Sequence, residues 1–160
     1  MANPAASPLI KRILVVANET VAGPELHDAV VALAGDEGAV DVLVIAPALN
    51  SRLRHWLSDD DGARAAAEAR LASCLERLAE TGIAAEGRIG DANPLQAIAD
   101  ALKTFDADEL LIATHPRGRS HWLQRDLIRR ARTRFPQPVL HVVVDPLRRA
   151  ADSGLSAAAA

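Results

Sequence analysis

The chain has no tyrosine, and its 160 residues include only two phenylalanines and two tryptophans. So few rings leave no platform on which successive bases could stack, as they do in single-strand nucleic-acid binders, and nucleic acid is not an expected partner. There is one cysteine, Cys74, which excludes a disulfide framework and a cysteine-based metal site with it. Its place in the apolar series Ala67, Leu71, Cys74, Leu75 and Leu78 marks it as a small core residue. No apolar run approaches the ~20 residues that cross a bilayer. The opening MANPAASPLIKR lacks the apolar region of a signal peptide. The expected location is the cytoplasm, with no membrane partner.

Motifs that carry phosphate or catalytic chemistry are missing as well. There is no G-x-x-x-x-G-K-[S/T], and ANETVAG after the first apolar run is not G-x-G-x-x-G. The five histidines show no paired ligand spacing and H-E-x-x-H is absent, so no metal site is expected. Ser120 is followed by His121, but neighbours in sequence do not make a triad and no G-x-S-x-G elbow is present. A receiver domain would need clustered acids, and only Glu19 and Asp91 are available. With no nucleophile and base to name, the expected function is non-catalytic.

What is present is an alternation of short aliphatic runs with helical periodicity. Ile13 to Ala17, Val40 to Ala46 and Leu110 to Ala113 have the length and composition of strands buried on both faces. Val139 to Val144 is a further apolar strand, and Ile83 to Ile89 alternates weakly, as an outer strand would. Between them lie helix faces at Leu26, Ala29, Val30 and Leu33, behind Pro24, and at Leu95, Ile98, Leu102 and Phe105, behind Asn93 and Pro94. A helix from about Asp59 to Thr81, with Ser58 as N-cap, ends at Gly82, and Leu123, Leu127, Ala131 and Phe135 recur every fourth residue in the last one. The order β-α-β-α-β-α-β-α-β requires right-handed crossovers and a doubly wound α/β fold around a single five-stranded parallel sheet. One domain is expected over residues 11–145, with tails without a packed core at 1–10 and 146–160.

Charge is unevenly placed. Residues 115–134 hold seven arginines and one aspartate, a net of +6, whereas the remainder holds eleven basic and twenty acidic residues, a net of −9. A concentrated basic segment in an acidic protein points to a local anion site, or to arginines that solvate a surface helix and pair with nearby acids. The loop after the second strand gathers Asn50, Arg52, Arg54, His55 and Trp56 within seven residues, and loops that long in a compact domain are usually functional. Trp56 and Trp122 could stack on a ligand or cap helix ends.

Together with the strand order, ELLIATHPRGRSHWLQRDLIRRARTRFPQPVLHVV resembles the C-terminal half of the universal stress protein domain, with matches at Gly118-Arg119-Ser120 and Pro138-Val139-Leu140. ILVVANET resembles that family's first strand and turn, and GDANPLQAIADAL, Gly90 to Leu102, its glycine, small loop and helix. The resemblance implies strand order 3-2-1-4-5 and a ligand cleft at the switch point between the first and fourth strands. It further implies ATP or a related nucleotide, with Mg²⁺, or another small anion. The residues that would hold it are Asn18, Glu19, Thr20, Ala46, Asn50, Arg52, Arg54, His115, Arg117, Gly118, Arg119, Ser120 and Arg129.

The chain departs from the family's G-x-x-G-x9-G-[S/T] loop. Asn18 stands where an aspartate is expected, only Gly118 remains of the first glycine pair, and nine residues onward stand Ile128 and Arg129. Arginine side chains would then replace backbone donors. The resemblance also implies a homodimer through Val139 to Val144. The alternative function is an interaction module that has lost nucleotide binding and docks an acidic protein through its arginine-rich helix and the loop around Trp56.

Overall fold

Every side chain from Ile13 to Ala17 is buried, as a strand covered on both faces requires. The computed structural model describes residues 10–17, 24–35, 39–48, 60–114 and 121–145. The expected tails fall outside these apart from Ile10, which is exposed. The elements are β1 (Lys11–Ala17), α1 (Pro24–Ala34), β2 (Val40–Pro47), α2 (Asp60–Glu80), β3 (Ala85–Gly90), α3 (Pro94–Leu102), β4 (Glu109–Thr114), α4 (His121–Arg134) and β5 (Val139–Val143). All pairings are parallel and the sheet order is β3-β2-β1-β4-β5, the order expected.

Alternate residues of the central strands feed two cores. Ile13, Val15, Val42, Val44 and Leu111 pack with Leu26 and Val30 of α1 and with Ala67, Leu71, Cys74 and Leu78 of α2. Leu14, Val16, Leu43, Leu110 and Ile112 pack with Leu95 and Ile98 of α3 and with Leu127, Ile128 and Ala131 of α4. Helices therefore cover both faces. Burial pushes the Cys74 thiol up to about 12, so it sits there as an inert apolar group.

The differences from the sequence reading lie at element ends and have local causes. Gly82, at φ +82°, closes α2 with its N–H on Ala79 O, and the Ile83 N–H goes back to Leu78 O. Ile83 is thus used in the cap, and β3 joins β2 only from Ala85, opposite Val42. Helix α3 stops at Leu102, yet Phe105 N–H still donates to Ala101 O and the ring is buried in the α3–α4 core. Thr114, which reads as the start of a turn, is the last residue of β4 and fully buried. Among the described residues, no helix is long and apolar enough to cross a membrane.

Candidate functional site

Neighbouring parallel strands β1 and β4 send the chain to opposite faces of the sheet: α1 follows β1 on one side and α4 follows β4 on the other. Their carboxyl ends therefore mark the topological switch point of the sheet, the usual ligand position in open α/β folds. The paired residues at this rim are Ala17 and Ala113, both buried and small. Side chains of this size let a ligand come close to the backbone.

Three further groups define the rim, none of them singled out by the sequence. Thr114 Oγ1 shares a 2.7 Å hydrogen bond with His141 Nε2, and Thr114 O accepts the Val144 N–H at 2.9 Å, so the end of β4 is clamped to β5. Arg70 of α2 donates from Nη2 to Pro47 O at 3.0 Å, tying α2 to the end of β2. Glu25, in the first turn of α1, has a carboxylate oxygen, Oε2, that is buried without a hydrogen-bond partner. The signals were weak: a threonine ending an apolar run, a histidine within one, and an acid after Pro24.

At the end of β3, a Cβ on Gly90 would come within 2.7 Å of Ala97 Cβ, so only glycine lets α3 lie this close to the strand. Asn93 then caps α3, its Oδ1 accepting the Leu95 N–H at 3.1 Å, and Asp91 Oδ1 accepts the Asn93 N–H at 2.7 Å. Asp91 is thereby engaged in the turn that starts the helix.

His141 is held below the ordinary imidazole range, first by burial and then by the charge of Arg132. The unfolded chain takes up a proton near the ordinary value of 6.5 while the folded protein still resists it. The stability that this neutral imidazole contributes is thus complete above that pH and is lost as pH falls through the lower folded value. A series of denaturation midpoints from neutral to acid pH should decline in that window for the natural protein and flatten in His141→Asn.

Eleven of the thirteen residues nominated from the sequence, Asn18, Glu19, Thr20, Asn50, Arg52, Arg54, His115, Arg117, Gly118, Arg119 and Ser120, lie outside the described residues, as do Ser58 and Trp56 and the side chain of Trp122. The other two do not come together. Ala46 is buried near the end of β2 in the core beneath α1 and α2, whereas Arg129 is exposed on α4, on the opposite face, paired with Asp126. Ile128 and Arg129 lie inside α4, where their N–H groups are used by the helix; the N–H groups that a helix leaves without an intrahelical partner are those of its first turn. Among the described residues no group of three or more His, Cys, Asp or Glu could hold a metal ion.

The family model that describes the universal stress protein family matches residues 9–146, nearly the whole chain. The chain belongs to the universal stress protein family. Ten chains of solved structures match it. One is the crystal structure of a protein from the universal stress protein family from Burkholderia pseudomallei, 18% identical, with a TM-score of 0.55, covering 86% of this chain and 98% of that one. At this identity the likeness speaks for the universal stress protein fold alone. No curated protein sequence matches.

Proposed function

We propose that this universal stress protein is a non-catalytic regulatory domain that binds ATP, a related nucleotide or another small anion at the β1/β4 switch point and pairs with a second copy through β5. The observation that carries the reading is the crossing of the chain to opposite faces after Ala17 and Thr114, which sets a small-residue rim beside the N-terminus of α4. Unpaired N–H groups at a helix N-terminus favour an anion. Arg117 and Arg119, between β4 and α4 in the chain, would add charged donors for phosphate, and the buried Glu25 Oε2 offers an acceptor for a ligand hydroxyl or amino group. Mg²⁺ would enter on the nucleotide's own phosphates.

Isothermal titration with ATP and Mg²⁺, run beside a denatured aliquot that releases any nucleotide already bound, tests the reading. Arg119→Ala should weaken binding by ~1.5–3 kcal/mol, the range of a charge-assisted contact. Unchanged affinity removes Arg119 from the site, and no binding by an empty natural protein defeats the nucleotide. A second reading, docking of an acidic protein, is favoured by α4, where five arginines accompany one aspartate.

A further inference from the structure

We infer that the groove between α3 and α4 is a docking site for an acidic peptide segment of a partner protein. The inference rests on the second reading above and is independent of the nucleotide cleft. The groove encloses ≈ 600 Å³ and is lined by Leu95, Asp126, Arg129, Arg130, Thr133 and Arg134. On α4 the residues 126, 130 and 134 and the residues 129 and 133 fall at spacings of four, so the lining is one continuous stripe of that helix. Leu95, 3% exposed, supplies an apolar floor from α3.

The charges in this stripe are not balanced from within. Arg129 and Arg130 share the single carboxylate of Asp126, and their side chains are 78% and 61% exposed. Arg134 lies with its guanidinium 5.5 Å from the centre of the Phe135 ring, which fixes its direction. On α3, Asp100 is engaged first by Lys103 at 2.7 Å and by Gln96 at 3.0 Å, and the charge of Arg134 acts on it only as the last of these influences. Three arginines against Asp126 leave the lining with a net charge of +2. Exposed pairs within a helix are weak, so a carboxylate from outside can displace Asp126 without a large loss.

The spacing selects the partner's form. Arg130 and Arg134 are separated by ~6 Å along the helix. Alternate side chains of an extended strand repeat at ~6.6 Å. Glutamates at alternate positions would thus meet both guanidiniums bidentately while their methylene stems cover Leu95. A polynucleotide fits less well, because among the described residues no exposed ring lines the groove and the chain outside residues 115–134 carries −9.

The test is fluorescence anisotropy of the full-length protein with a fluorescein-labelled Glu-Ser repeat peptide at low salt, competed by an oligothymidylate of similar length. Saturable binding that weakens with salt is expected, with at least about tenfold loss in the double variant Arg130→Glu, Arg134→Glu. Arg125→Glu makes the charge change of one of these two substitutions on α4 outside the lining and should alter affinity by less than roughly twofold. Absence of saturable binding, equal loss in Arg125→Glu, or equal affinity for the oligothymidylate would overturn the inference. If thermal melting shows the double variant to be unfolded, Arg130→Gln alone must still weaken the peptide. ATP affinity, titrated in the same variants, is expected to stay as in the natural protein; its absence counts against the cleft and leaves the groove untouched.

Discussion

Leu111→Ala lowers the unfolding free energy by about 3–4 kcal/mol, a large share of the ~5–15 kcal/mol that a domain of this size possesses. Leu111 is fully buried in β4, paired with Val15 on one side and Leu140 on the other, and it projects into the core beneath α1 and α2. Removing its branched end forfeits the transfer energy of the lost carbons and leaves a cavity besides. The strand on each side is fixed by backbone hydrogen bonds, so the walls cannot close over it. Urea denaturation reads the effect as a shift in midpoint at constant slope. Leu140→Ala, on the same sheet face but 39% exposed at the edge, should cost less than about 1 kcal/mol. Similar losses at the two positions would mean that β4 is not the interior strand described here.

That interior position was readable because burial on both faces leaves an unmistakable trace. ILVVA, VDVLVIA and LLIA are continuous aliphatic runs too short for helices, and every residue from Ile13 to Ala17 and from Leu110 to Ala113 is indeed buried. Strand β3 left a fainter trace because, at the sheet edge, Glu86 and Arg88 point to solvent and Ile83, the apolar residue just before it, is used in the cap of α2. Strand order could not come from periodicity at all. It came from the resemblance, through Gly118-Arg119-Ser120 and the Pro-Val strand, and the observed β3-β2-β1-β4-β5 agrees with it.

The site was less legible for a physical reason. Its position follows from topology, which sequence pattern and resemblance convey, but its side-chain partners depend on distances between segments remote in the chain. Thr114 and His141 stand 27 residues apart and meet only because β4 and β5 pair in register. Arg70 reaches Pro47 across 23 residues because α2 packs back on β2. Arg129 illustrates the opposite difficulty. Counted along the chain it stands where a loop residue was expected, yet the helical periodicity from Leu123 to Phe135 already placed it within α4, and there it faces the α3–α4 groove.

Strand β5 carries the remaining large effect. Leu140 and Val143 are 39% and 44% exposed at the open edge of the sheet, an apolar edge of the kind that pairs with another strand unless charge prevents it. Burying both side chains against a second copy would remove that liability. Sedimentation equilibrium should then give twice the 16.9 kDa chain mass for the natural protein. Replacing both residues with lysine puts an ammonium group on each face of the edge. Pairing would then have to desolvate two like charges per chain, weakening the dimer by at least about 2–3 kcal/mol, roughly 30- to 150-fold in Kd. The monomer should stay folded, because lysine at a free edge is what monomeric sheet proteins use to stay apart. A natural protein that sediments at the single-chain mass at high concentration refutes pairing through β5, and a dimer that survives both lysines must form through another surface.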